Sequence, residues 1–190
     1  MNKRVLCSMA AMSLVVAVAG AQQPAGQKIG LATTLQRAYA QIKMNLTQSA
    51  EKMSEADYNS KPSTMPEVRT FGKLFGHVAN AQFGSCAAAK GVPNPNQGND
   101  LETKTTKAEF VKALADSFAF CDDAFSSLTD QSALEMVRQG QNDVTRAGVL
   151  SNLIAHSNEM YGTSGVYLRA KNIVPPSTEN AGRGMGGRGR

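Results

Sequence analysis

The sequence predicts an all-α fold, a four-helix bundle formed by one domain. Four stretches of the chain repeat apolar residues with the three-and-four spacing of an amphipathic helix. No stretch has the sustained alternation or the density of β-branched residues that a sheet requires. None of the four helices can bury its apolar face alone, so we expect them to pack around one shared core.

The first two predicted helices lie in the first half of the chain. Helix 1 covers about residues 27–53, and its apolar face is formed by Leu35, Ala38, Ile42 and Leu46. Helix 2 begins near Pro66 and runs to Lys90, where Gly91 and two prolines follow. Helix 2 therefore has a recognisable stop signal.

The last two predicted helices carry the clearest patterns. Helix 3 starts after Thr106, because Thr106 and Glu109 form a capping box. Its apolar face is formed by Phe110, Leu114, Ser117, Cys121, Ala124 and Leu128. Helix 4 covers about residues 145–171, and Pro175 and Pro176 close it. Its face is formed by Val149, Leu153, His156, Met160, Thr163 and Tyr167, and both faces have the spacing of a bundle seam.

The connector between helices 2 and 3 carries information about topology. It has about 15 residues, rich in Asn, Gly and Pro, whereas antiparallel neighbours usually need only about 2 to 8. A connector of this length can run back along the whole bundle. We therefore predict a long crossover, with helices 2 and 3 parallel.

Both ends of the chain are predicted to lie outside the bundle, which we place at residues 22–179. Residues 1–21 contain two basic residues, an apolar run too short to span a membrane, and a small-residue cleavage site, which are typical of a signal peptide. We therefore expect a periplasmic or secreted protein that is free of the membrane after cleavage. Residues 180–190, rich in Gly and Arg, are predicted to be disordered.

The positive net charge of the chain does not indicate a nucleic-acid partner. The formal net charge is +5, but Lys3, Arg4, Arg183, Arg188 and Arg190 account for this excess. All five lie outside the predicted bundle, whose own charge is close to neutral. Since a nucleic-acid interface needs a basic face on the folded domain, we expect no such partner.

Two cysteines, Cys86 and Cys121, remain after the predicted cleavage. Each lies roughly 15 to 17 residues into its helix, about 22 to 25 Å from the helix start. Parallel helices would place them level, whereas antiparallel helices would separate them by more than the roughly 7 Å that a disulfide tolerates. In an oxidising compartment a disulfide is expected, and the alternative is two buried free thiols.

The chain has two histidines, His77 in helix 2 and His156 in helix 4, both on apolar faces. On the face of His77 the neighbours Ala81 and Gly84 are small and leave room beside the imidazole. Two imidazoles in one bundle core could bind a transition metal. The alternative is that each is a core residue hydrogen-bonded to a neighbour.

Three runs of sequence resemble the DinB-like superfamily, especially its exported bacterial members: EVRTFGKLFGHVANAQ, SFAFCDDAF and TRAGVLSNLIAHSNEMYGTSGVYLRAKNIVPPS. The resemblance covers about residues 31–177. It implies a bundle with parallel second and third helices and a divalent metal, often zinc or nickel. In the family pattern one histidine of the second helix and an H-x-x-x-H pair of the fourth bind the metal. His77 and His156 match this pattern, but Met160 stands where it expects the last histidine.

The substitution at Met160 leaves three hypotheses open, because a thioether is a poor ligand for zinc or nickel. In the first hypothesis the site holds no metal, and Met160 packs in the core. Glu159 could replace the missing ligand, although its direction differs by about 100° on an ideal helix. His77, His156 and Met160 could instead form a soft site that selects Cu(I).

The sequence therefore predicts an exported bundle of unknown specific activity that binds a metal or small ligand at a site with an altered third ligand. Some relatives are thiol-dependent transferases or isomerases, so a metal-dependent hydrolase or transferase is one alternative. No nucleophile and base are recognisable by spacing, and whether the chain is an enzyme stays open. A homodimeric interaction protein with a vestigial site is the other alternative.

Overall fold

The computed structural model describes Gly26 and residues 28–185 of the chain, and most of these residues are helical. Four long helices, α1, α2, α3 and α5, are joined by shorter elements. The helices are α1 Leu31–Lys52, α2 Phe71–Lys90, α3 Lys107–Ser126, α4 Asp130–Ala133, α5 Arg146–Ala170 and α6 Pro176–Met185. A 3-10 helix, Leu101–Thr103, precedes α3, and the strands β1 Met136–Gln139 and β2 Asn142–Thr145 precede α5. The predicted all-α fold class is confirmed.

The core lies between the four long helices. The whole predicted face of α3 is buried, and it packs with apolar residues of α1, α2 and α5 in one cluster. At one end of this cluster, the ring of Tyr58 packs against Phe71, Phe75 and Phe110. Burial of such aromatic rings contributes much of the stability of a core this size.

Two contacts join α2 and α3 at matching levels. Near the helix starts, the ring of Phe110 lies so close to Gly72 that it leaves no room for a Cβ. Further along, Cys86 and Cys121 form a disulfide with their Cα atoms 5.3 Å apart. Such contacts are expected of helices that run in the same direction, and the cysteines are not the two free thiols of the alternative hypothesis.

The connector between α2 and α3 returns along the surface of α2. The amide of Asn80 donates to Asp100 at 2.8 Å, and its oxygen accepts from the backbone N–H of Leu101 at 3.1 Å. One turn earlier on α2, Gly76 lies directly against the carbonyl group of Leu101. A side chain at position 76 would push the connector away, so this glycine allows a close approach of the two backbones.

Helices α1 and α2 begin a few residues later than predicted. Helix α2 begins at Phe71 rather than near Pro66, because Thr70 caps it by accepting from the N–H of Lys73. Helix α1 begins at Leu31 rather than at residue 27, and the aspartate of α4, Asp130, accepts from the N–H of Ala32 at 2.7 Å.

A short antiparallel hairpin, β1 paired with β2, interrupts the helical fold before α5. Each strand has only four residues, and Gly140 takes the positive φ of 62° that favours glycine in the turn. The sequence does not predict this hairpin, because a pattern of four residues is too short to show alternation.

Near its C-terminal end the chain forms one helix that was not predicted. The predicted signal peptide, residues 1–21, lies outside the described residues. Helix α5 ends at Ala170, before the two prolines. Pro176 begins a further helix, α6, since proline is favoured at a first helical position. Residues 180–185, predicted to be disordered, continue this helix, and Asn180 donates to Gln48 of α1 at 3.4 Å. In the described part of the chain, no helix is long and apolar enough to cross a membrane.

Candidate metal and ligand site

The two histidines face each other across the seam between α2 and α5. The ring centres of His77 and His156 lie 4.9 Å apart, and the ring planes are inclined by 70°. Both rings border a cavity of about 320 Å³ that opens to solvent. Its other lining residues are Ala81, Ser85, Asn152 and Leu153. The structure therefore brings together two of the predicted site residues beside a largely apolar cavity.

A carboxylate from the connector holds the ring of His77. The Nδ1 atom of His77 lies 2.7 Å from Oε1 of Glu102, and Arg69 donates from Nε to the other oxygen of Glu102 at 2.8 Å. Partial burial alone would raise the pKa of Glu102, but the hydrogen bonds from Arg69 and His77 outweigh it and hold this pKa below its ordinary value. Glu102 is therefore ionised at neutral pH.

One nitrogen atom of His156 has no partner in the part of the chain that the structure describes. Its Nε2 atom is buried and has no hydrogen-bond partner among the described residues, while its Nδ1 atom lies 4.0 Å from Glu159. Burial lowers the pKa of His156, the charge of His77 lowers it further, and Glu159 only partly opposes both. The imidazole is therefore neutral at physiological pH, the form in which histidine binds metals.

The two candidates for a third ligand lie in different surroundings. Met160 is 8 % exposed and belongs to the hydrophobic core. The side chain of Glu159 is 72 % exposed. In residues 28–185, no group of three or more His, Cys, Asp or Glu side chains is placed to hold one ion. That Met160 or Glu159 supplies the third ligand of a metal site stays a prediction.

Glu102 and Arg69 belong to this site but were not identified from the sequence. Glu102 lies 25 residues from His77 in the chain, in a polar connector that has no helical period. The length of the connector predicted a return along the bundle, but it could not indicate which carboxylate would meet the imidazole.

The fold and the paired imidazoles define a helical-bundle protein with a candidate ligand site between its second and last long helices. The family model of the DinB superfamily matches residues 38–163, and the chain belongs to this superfamily. No curated protein sequence matches the chain.

Three solved structures share the fold at low sequence identity. A DinB-like protein from Bacillus cereus ATCC 10987 has a TM-score of 0.62 and 14% identity, with 75% of this chain and 93% of that chain covered. A DinB-like protein from Bacillus subtilis has a TM-score of 0.58 and 18% identity, with 73% and 92% covered. A conserved protein from Enterococcus faecalis has a TM-score of 0.57 and 14% identity, with 75% and 97% covered.

Proposed function

We propose that this chain is an exported protein that binds a transition-metal ion, together with a small ligand of that ion, through His77 and His156. The observation that carries the proposal is the pair of imidazoles beside the cavity, one with a buried nitrogen that lacks any partner among the described residues. A buried polar atom without a partner is unfavourable, and an ion would satisfy it.

The spacing of the rings fits a shared ion. Two imidazoles that bind one tetrahedral ion have ring centres about 5 Å apart, given nitrogen-to-metal distances of about 2.0 to 2.1 Å. The observed separation is 4.9 Å. The donor chemistry also fits, because neutral imidazoles bind zinc, nickel and copper.

Two protein ligands would leave the remaining positions of the ion to Met160, water or a ligand in the cavity. With oxygen or nitrogen donors in those positions, zinc or nickel is favoured, and the bound ion would act as a Lewis acid. With the thioether of Met160, Cu(I) is favoured instead. The cavity of about 320 Å³ is large enough for a small organic ligand, and Ser85 and Asn152 supply its polar groups.

The disulfide supports the export that this proposal includes. Cys86 and Cys121 are both fully buried and joined to each other. Disulfides persist in oxidising compartments such as the periplasm and are rare in the cytosol. Together with the basic and apolar segment that opens the chain, this pairing favours a periplasmic or secreted protein.

Elemental analysis tests the proposal on protein purified from the periplasm without a chelator or a histidine tag. We expect about one transition-metal ion per chain in the wild type and a loss of the ion in both His77→Ala and His156→Ala. Ser151→Ala is the matched control, because this exposed residue lies on the same helix as His156 and does not line the cavity. An absence of metal in the wild type, even after reconstitution with zinc, nickel and Cu(I), would overturn the proposal.

A further inference from the structure

We infer that Glu102 is a positioning residue that keeps the proton of neutral His77 on Nδ1 and so leaves Nε2 as the nitrogen with a free lone pair. The inference concerns the state of the protein before any ion binds. Its consequence for metal affinity rests on the proposed function.

The contact between His77 and Glu102 has one favourable arrangement of protons. An ionised carboxylate has no proton and can only accept a hydrogen bond. Since Oε1 of Glu102 lies 2.7 Å from Nδ1 of His77, the nitrogen must donate. A neutral imidazole has one N–H group, so a proton on Nδ1 leaves Nε2 unprotonated.

Arg69 offers a competing arrangement with the opposite result. Its Nη2 atom lies 3.2 Å from Nδ1 of His77 and could donate to it, which would move the ring proton to Nε2. The same guanidinium contacts both oxygens of Glu102, at 2.8 and 3.3 Å. The contact with the carboxylate decides between them, because an unprotonated Nδ1 would leave two acceptors 2.7 Å apart with no proton between them. Arg69 already donates to Glu102 at 2.8 Å and would lose only the longer contact.

The connector holds the carboxylate of Glu102 in place from its backbone. The N–H of Glu102 donates to Asp100 at 2.9 Å, and the preceding residue, Leu101, lies against Gly76. Arg69 is fixed in turn, because Tyr167 of α5 donates to its carbonyl oxygen at 2.7 Å. The backbones of Glu102 and Arg69 are therefore anchored, one within the connector and the other to α5.

Metal-binding histidines commonly have a carboxylate partner of this kind. A carboxylate that accepts from one ring nitrogen orients the imidazole and makes the other nitrogen more basic. Loss of such a carboxylate typically lowers metal affinity by about 10- to 100-fold. Glu102 would therefore act on a bound ion through His77.

Long-range proton–nitrogen correlation spectra of metal-free protein test the inference directly. At a pH where His77 is neutral, we expect the wild type to show a protonated Nδ1 and an unprotonated Nε2. In Glu102→Gln, we expect the proton to move wholly or partly to Nε2, because the uncharged amide accepts less strongly and can itself donate. Asp116→Asn is the control, since it removes an exposed carboxylate that pairs with Lys112 on α3 and should leave His77 unchanged.

Two spectral outcomes would overturn the inference: a wild-type His77 protonated on Nε2, or a proton that stays on Nδ1 in folded Glu102→Gln. If the variant does not fold, the wild-type spectrum still decides the position of the proton. A wild type that has the expected proton but binds no metal would support Glu102 as the positioning residue and overturn only the proposed function.

Discussion

Gly76 and Leu101 touch through their backbones one residue before His77 and Glu102 form their hydrogen bond. The close approach of the connector to α2 and the position of the site carboxylate are therefore one structural feature. A side chain at position 76 would therefore displace the connector and, with it, the carboxylate of Glu102.

We predict that Gly76→Ala destabilises the protein and weakens metal binding, because the new Cβ would displace the carbonyl of Leu101. The free energy of unfolding should fall by about 1 to 3 kcal/mol, as for other overpacked positions. Gly84→Ala on the same helix is the control, since a Cβ there meets nothing within 4 Å. It should raise the free energy of unfolding by up to about 1 kcal/mol through helix propensity. Urea unfolding measures both, and equal effects of the two variants would contradict the prediction.

Met160→His should raise the affinity for zinc or nickel by more than about tenfold, or about 1.4 kcal/mol. The substitution places an imidazole four residues after His156, on the same face of α5. Met160→Leu is the control because it keeps the apolar volume of the core. Metal titration by calorimetry would show the gain, and an unchanged affinity in Met160→His would contradict it. If the wild-type site selects Cu(I), Met160→Leu should lose affinity for that ion alone.

The metal-free protein should lose stability as the pH falls from about 6.5, the ordinary pKa of histidine, and His156 should account for part of this loss. Burial and the charge of His77 lower the pKa of folded His156. Between the lowered and the ordinary pKa, the unfolded chain binds more protons, so acid favours unfolding. The stability contributed by neutral His156 is complete above the ordinary pKa and is lost as the pH falls through the folded-state pKa.

Urea unfolding with a chelator, at about pH 7.5 and 5.5, measures this effect on either side of the ordinary histidine pKa. The wild type should lose more stability than His156→Gln, which has no imidazole at this position. Equal losses in the two proteins would show that His156 is not the group responsible.

Removal of the disulfide should lower the free energy of unfolding by about 3 to 4 kcal/mol in the chain-entropy model, for a sequence separation of 35 residues. The suitable variant replaces Cys86 and Cys121 together by alanine, because both side chains are fully buried and apolar in character. Reduced wild type is the control and should unfold at the same urea concentration as the double variant. A loss below about 1 kcal/mol would contradict the chain-entropy account.

The correctly predicted features of the fold are local: they depend on residues that lie close together in the sequence. The capping box of Thr106 and Glu109 starts α3 as expected, and every apolar position predicted for α3 is buried. Helical period and capping are local properties, so they can be recognised without knowledge of the tertiary structure. The predicted start of α2 near Pro66 was wrong, because Thr70 provides the cap and the helix begins at Phe71.

The site itself was only half predictable. His77 and His156 could be recognised as a pair because each lies on an apolar helical face, and such faces meet in a bundle. Glu102 could not be recognised, since its role arises from the return of the connector along α2. The place of a polar residue in a connector depends on tertiary contacts that no sequence period encodes.

The disulfide would hold the protein together after proteolytic cleavage of the connector. Cys86 and Cys121 lie on either side of the connector, much of which is exposed and suited to proteolytic cleavage. A single cleavage anywhere in residues 91–106 would give two fragments that remain one covalent molecule. Such a nicked protein would migrate as one band on a gel without thiol and as two bands after reduction.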